Sequence, residues 1–249
     1  MAKLLFKILW FVVVVGLIAA SLAFSYRKLS RVVCSKVEIV IPDGSPRFID
    51  SDDVTAIIRK IDTSLTAKPM NVINTEQIEQ TLEKVSCVND VEVYSHITCT
   101  NLEFQGKLIV KVEQRRPVFH VLNGDEDYYV DSTGVRILLK PRRFQKIPLV
   151  TGNPDQQYTT EKLLPMINFI RKDKFWSSQV QQVNVDKNNE IEIVPLIGDQ
   201  LIEFGDPENF EEKFRNLKAL YEQGFSKTGW QNYRKISVKY KNQVVCTKR

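Results

Sequence analysis

The longest apolar stretch of the chain comes first. Residues 4–24 are interrupted only by Lys7 and Ser21, and residues 8–20 are not interrupted at all. Wound as a helix at about 1.5 Å per residue, this run is about 30 Å long, the thickness of a bilayer's hydrocarbon core. It predicts a single N-terminal transmembrane helix, residues 8–26, behind a short cytoplasmic tail, residues 1–7. A cleavable signal peptide would have a shorter core, although Ser21-Leu22-Ala23 could serve as its site. A lipoprotein signal would need small residues before its cysteine, and Cys34 follows Arg31-Val32-Val33.

Beyond the span the pattern changes to short alternations and helical stripes. Val37-Glu38-Ile39-Val40-Ile41 alternates and meets the turn signal Pro42-Asp43-Gly44, which reads as a strand. Ser51-Asp52-Asp53 places a cap and two acids ahead of Val54, Ile57, Ile58 and Ile61, one face of a helix. A second capped start at Asn74, with Gln77 as capping-box partner, precedes the stripe of Ile78, Leu82 and Val85. Residues 88–94 and 107–113 read as strands, the latter with Leu108, Val110 and Val112 on one face. Two helices over one face of a three-stranded sheet would bury both stripes, giving a β-α-α-β-β domain over residues 36–116.

At Arg115-Arg116-Pro117 the pattern turns strand-rich, and residues 117–249 read as a second, β domain. Strands are expected at 117–122, 128–130 and 135–139, with turns at Asn123-Gly124-Asp125 and Asp131-Ser132-Thr133-Gly134. A helix starting at Thr160 carries Leu163, Leu164, Ile167 and Ile170 inward, with Pro165 distorting its first turns. Residues 180–185, 190–195 and 200–204 suggest a meander. Asp206-Pro207 reads as the start of a helix with Phe210, Phe214, Leu217 and Tyr221 inward and Gly224 as its stop. The end, residues 236–246, reads as a strand or tight hairpin.

Composition adds little beyond a packed globular body. The chain is 43% hydrophobic and 26% charged, and its net charge of +5 is spread along the sequence. Charge does complicate orientation: Lys3 and Lys7 precede the span, whereas Arg27, Lys28, Arg31 and Lys36 follow it, which by the positive-inside rule would keep the body in the cytoplasm. Tyr26, Arg27, Lys28 and Arg31 suit the headgroup region as a membrane interface. The four cysteines, Cys34, Cys87, Cys99 and Cys246, lack C-x-x-C spacing, and sequence alone cannot pair them.

Catalytic chemistry finds no support. Asp131-Ser132-Thr133-Gly134 has one residue too many for an aspartic-protease motif and no second copy, so a turn explains it. Asp125-Glu126-Asp127 lacks calcium-loop spacing, and there is no Gly-rich phosphate loop or G-x-S-x-G elbow. His96 and Cys99 would need two further zinc ligands that the sequence does not place near them. The chain reads as non-enzymatic, with no cofactor and no metal. Lys140, Arg142, Arg143 and Lys146 form a basic loop that reads as a solvated face or a contact for lipid phosphates or an anionic polymer.

The order of elements resembles the bacterial cell-division proteins of the FtsQ/DivIB family over essentially the whole chain. Val37-Glu38-Ile39 is similar to the opening strand of their POTRA domain, and Lys68-Pro69-Met70-Asn71-Val72 stands where the family has a G-x-N-hydrophobic loop, here without the glycine. Val112-Glu113-Gln114-Arg115-Arg116-Pro117-Val118 resembles the V-x-E-R-x-P exit from that domain with one residue added. Tyr128-Tyr129-Val130-Asp131 with Gly134-Val135, and Ile147-Pro148-Leu149-Val150-Thr151-Gly152, resemble motifs of the second domain. Ile236-Ser237-Val238-Lys239-Tyr240 sits where the family shows an I-D-L-R-Y strand. The extended segment 94–106 and the terminal Gln243-Val244-Val245-Cys246 have the look of the Bacteroidota branch.

The resemblance implies an α+β protein: one transmembrane helix, a POTRA-like domain, then a β domain with a C-terminal helix and strand. It implies a single-pass inner-membrane protein with its body in the periplasm at the division site, against the charge count but permissibly, since long domains cross despite flanking charge. Such a body would not meet nucleic acid. The implied function is a divisome scaffold linking early and late division proteins through FtsB and FtsL and needed for septum formation; self-association stays open. By analogy Ile236, Ser237, Val238, Lys239, Tyr240, Gln243, Val244 and Val245 form an edge on which a partner strand pairs, and Val238→Pro should then harm binding more than Val238→Ala. The competing function is a POTRA-type periplasmic chaperone or envelope-assembly factor, which would predict repeated POTRA units.

Overall fold

The computed structural model describes residues 2–29, 31–100, 103–124, 126–138, 140–141, 146–225 and 229–249. The chain divides into two compact units, residues 1–45 with 49–113 and residues 46–48 with 114–249.

The first unit begins with helix α1 (Ala2–Leu29), whose window Trp10–Arg27 is long and apolar enough to cross a membrane and contains no buried residue. After it come β1 (Cys34–Val40), α2 (Ser51–Ile61), α3 (Thr75–Glu83), β2 (Val88–Thr100) and β3 (Glu103–Gln114). The sheet order is β1-β3-β2 with β1 parallel to β3, a pairing that needs a crossover, and α2 and α3 supply it. Val54 and Ile58 of α2 and Ile78 and Leu82 of α3 are buried together with Val91, Val93, Leu108, Val110 and Val112 of the sheet.

Two local details differ from the sequence reading. The cap of α2 is Asp50 rather than Ser51: Asp50 Oδ1 accepts the N–H groups of Asp52 (3.0 Å) and Asp53 (3.1 Å), and Asp53 Oδ2 accepts the Asp50 N–H (2.9 Å). This closes a reciprocal box around two donors that the first helical turn leaves unpaired. Strands β2 and β3 also run well beyond 88–94 and 107–113. Tyr94, Ser95 and His96 are all exposed, so no burial imposes an alternating pattern there.

The second unit holds β4 (Pro117–Asn123), β5 (Glu126–Asp131), β6 (Arg136–Ile137), β7 (Leu149–Gly152), α4 (Gln156–Tyr158), α5 (Leu164–Lys172), α6 (Trp176–Gln179), β8 (Val180–Val185), β9 (Ile191–Pro195), β10 (Leu201–Gly205), α7 (Phe210–Ala219), β11 (Tyr233–Ser237) and β12 (Val245–Lys248). Among the described residues these strands make one nine-stranded sheet, ordered β12-β11-β10-β9-β8-β7-β4-β5-β6. The β8-β9-β10 stretch is the expected antiparallel meander. Its core gathers Phe119, Val121, Val150, Val183, Ile193, Ile202 and Ile236 from the sheet and Ile167, Ile170, Trp176, Phe214 and Leu217 from the helices.

Here too the helix starts move. The helix expected from Thr160 begins at Gln156, capped by Asp155, whose Oδ1 accepts the Tyr158 N–H (2.7 Å). A π-helical turn, Thr159–Leu163, joins α4 to α5 just before Pro165, where the ring removes one donor. The helix expected at Asp206-Pro207 starts at Phe210, behind Asn209 in the left-handed region (φ 52°). Asp206 instead accepts the Glu208 N–H (2.9 Å) and the Lys213 ammonium (3.0 Å). Of the strand expected over 135–139, Arg136–Ile137 is strand, and Leu139 lies outside the described residues.

Candidate functional site

The end of the chain forms one border of the nine-stranded sheet. β11 lies between two neighbours: it runs parallel to β10, with Ile202 opposite Ile236, and antiparallel to β12, with Ile236 opposite Cys246 and Ser237 opposite Val245. Both sides of β11 are therefore occupied. Ile236 and Ser237 are buried, and Val238 is 2% exposed with its N–H donating to Glu203 O (3.0 Å).

This corrects the expected edge. Residues 236–238 lie inside the sheet and fill the core, so Val238→Pro would break the fold rather than test an interface. Sequence pattern could not separate the two cases, because a strand that serves the core and a strand that ends the sheet carry the same β-branched residues.

At this end of the sheet the border strand is β12, which among the described residues pairs with β11 alone. Arg249 N–H donates inward to Asn232 O (3.0 Å). N–H directions alternate along a strand, so Thr247 and Val245 face β11 as well, while Cys246 and Lys248 turn their N–H groups outward. Cys246 is half-buried against the core, and burial pushes its thiol pKa up. Cys246, Thr247 and Lys248 are the edge residues that sequence reasoning missed or left unassigned. The β-branched run Val244-Val245 followed by Thr247 was the signal for them.

Between β11 and β12 the chain turns through residues 240–243, with Asn242 at φ 60° and the Gln243 N–H on Tyr240 O (3.4 Å). Of the eight residues named from sequence, Tyr240 (59%), Gln243 and Val245 (44%) are exposed, and Val244 packs partly against the core. Lys239 pairs with the Glu190 carboxylate, a bond that raises its pKa, and its stem lies over Gly205, where a Cβ would meet Lys239 Cγ at 2.9 Å. Beside the turn, Asp206, Asn209, Glu212, Lys213 and Asn216 border a cleft of about 170 Å³ whose other wall is residues 238–242. The arrangement offers backbone donors, an exposed aromatic ring and a shallow polar hollow, which suits a polypeptide rather than a small substrate.

The other candidates sort as follows. Tyr26 and Arg27 lie in the last turns of α1, Arg31 is exposed just after it, and Lys28 is on the same helix with its side chain outside the described residues. Arg142 and Arg143 of the basic loop, and Asp125, lie outside the described residues. Lys140 pairs with Asp127 (2.6 Å); with His120 it holds that carboxyl below its ordinary range. All four cysteines are free thiols, and among the described residues no group of three or more His, Cys, Asp or Glu side chains could hold a metal.

Two family models match the chain: a POTRA-like domain over residues 32–100, and FtsQ/DivIB, C-terminal related, over residues 116–247. Comparison with curated proteins returns no match.

Proposed function

Since the chain belongs to the FtsQ/DivIB family, whose C-terminal-related model covers residues 116–247, we propose that its second domain docks FtsB, itself paired with FtsL, on the β12 border of the nine-stranded sheet. Family membership places it in cell division as a component of the divisome, and the family is one of non-catalytic scaffolds. In this reading α1 anchors the chain in the inner membrane, the body lies in the periplasm at the septum, and the protein links early to late division proteins.

The observation that carries the proposal is that β12 ends the sheet, with no strand on its outer side among the described residues. An incoming strand would pair with the outward groups of Cys246 and Lys248. The ring of Tyr240, with Gln243 and Val245, would read its side chains. Main-chain bonds give such a contact its affinity, and alternate side chains give its specificity.

The test uses the full chain in nanodiscs and a purified FtsB–FtsL complex from the same organism. Saturable binding is expected, and Lys248→Pro, which removes an outward donor, should weaken it about tenfold relative to Lys248→Ala. Equal binding by the two variants would defeat edge pairing. No binding at all by the folded chain would move the reading towards envelope assembly.

A further inference from the structure

The nine-stranded sheet carries its core on one face. Val121, Val150 and Val183, neighbours on β4, β7 and β8, point into that core. Side chains alternate along a strand, so the residues one place earlier take the opposite face: His120, Leu149 and Gln182 in a row, with Tyr129 of β5 beside His120.

Two members of this row form a fixed plate. The rings of His120 and Tyr129 stack at 4.4 Å and 8° from parallel, and Phe48 of the same unit meets Tyr129 edge-on at 5.9 Å. Asp127 holds the imidazole in place: its carboxyl, kept below the ordinary range by Lys140 and His120, accepts from His120 Nε2 (2.6 Å). The plate cannot turn without losing that bond.

A cleft of about 520 Å³ opens on this row, within the range of about 300–1,000 Å³ usual for ligand sites. His120 and Leu149 belong to its floor, and Ile147, Pro148, Val180 and Leu196 add apolar walls. Leu196 is 57% exposed, which leaves its apolar surface for a ligand to cover.

The polar groups around the cleft suit amides and an anion. Ser177 and Ser178 spend their hydroxyl hydrogens on Lys174 O (3.3 Å) and Phe175 O (2.8 Å), so their oxygens are left as acceptors. Gln181 is exposed, its side chain has no hydrogen bond among the described residues, and its amide both donates and accepts. Among the described residues no Asp or Glu lines the cleft. Lys146 does line it and is exposed with no ion pair among the described residues, whereas the charge of Lys140 is already met by Asp127.

We infer that this cleft docks a partner protein by one aromatic side chain flanked by acidic residues. The ring lies against the His120 plate between the apolar walls, a neighbouring carboxylate meets Lys146, and peptide N–H groups reach the oxygens of Ser177 and Ser178. An aromatic anchor seated in a pocket carries most of the energy of such a contact. The surface lies inside the sheet, on β4, β7 and β8, and does not rest on the reading of the β12 border.

The probe is a fluorescein-labelled peptide, Gly-Ser-Glu-Trp-Glu-Ser-Gly, titrated by anisotropy against the full chain in phosphatidylcholine nanodiscs. Saturable binding is expected, weakened about tenfold or more when Ala replaces the Trp of the peptide or when Lys146→Glu reverses the charge of the cleft. Leu196→Asp, at an exposed position outside the core, should weaken it as much, and Lys248→Pro should leave it unchanged. Absence of saturable binding, equal binding by Lys146→Glu, or equal binding of the Trp and Ala peptides overturns the proposal. So does equal affinity for indole-3-acetate, which would mark a small-molecule site. Binding that appears only when residues 142–145 are replaced by Gly and Ser also overturns it, since the cleft would then belong to the chain's own segment.

Discussion

At Asp131 one carboxylate closes a turn and an ion pair together. Its Oδ1 accepts the Thr133 N–H (2.8 Å), the Thr133 hydroxyl (2.7 Å) and the Val135 N–H (2.9 Å), and its Oδ2 takes Arg115 Nη1 (2.8 Å). Burial raises the pKa of this group, but the Thr133 hydroxyl, Arg115 and the two backbone donors outweigh it, and the net shift is downward. A depressed carboxyl stabilises the fold fully above its unfolded value of about 3.9, and that contribution is lost as pH falls through the folded value. Asp131→Asn is expected to cost about 2 kcal/mol at pH 7, because Arg115 loses its counter-charge, and to cost less at pH 3. Urea unfolding at the two pH values measures both. The Asp-Ser-Thr-Gly stretch is thus a structural turn, as its sequence suggested. Gly152 is a second single-residue constraint: its φ is +96°, and a Cβ there would lie 1.9 Å from Val185 O. Gly152→Ala should cost about 1–3 kcal/mol, read as a lowered Tm.

At the scale of elements, helix stripes were legible and helix starts less so. Val54 and Ile58, Ile78 and Leu82, and Phe214 and Leu217 all point inward as their spacing predicts. Starts depend on which of several neighbouring Asp, Asn and Ser side chains reaches a free N–H, a matter of one backbone dihedral rather than of residue type. Asp50 won over Ser51, while Asp206 was drawn to Lys213 and the start of α7 fell to Asn209, whose backbone oxygen, not its side chain, takes the Glu212 and Lys213 N–H groups. Asp50→Ala should therefore destabilise the first unit by about 1 kcal/mol, visible as a shift in its urea midpoint. Val238→Pro should disrupt the second unit outright, because it removes the bond to Glu203 O inside the sheet, whereas Val238→Ala leaves that bond in place. Circular dichroism of the two variants separates these outcomes before any binding is measured.

At the scale of the molecule, α1 stands apart from the core of its own unit. No residue of its window Trp10–Arg27 is buried, so the core of the first unit does not need it for packing. Removing residues 1–31 should leave a chain that stays in solution without detergent and keeps its far-UV spectrum. A chain that aggregates or loses its strands would show that α1 supports the fold. The membrane helix, the cell-division family and the mixed α+β architecture were all within reach of the sequence, because each rests on a long pattern or on several motifs in a fixed order.

Contiguous residues were enough wherever a property depends on the chain's own periodicity: the 30 Å apolar run, the two stripes of the first unit, the meander of the second. They were not enough for the borders of the sheets. Whether residues 236–238 or 245–248 end the larger sheet depends on β10 lying parallel beside β11, and the two strands are separated by a helix and its π-helical extension. The same holds for β1, whose outer side is met at Val32–Cys34 by residues 68–70, a return of the chain from beyond α2. A strand's side chains report which face is buried, whereas its free N–H groups report which neighbour is missing, and neighbours are chosen by packing across the whole unit.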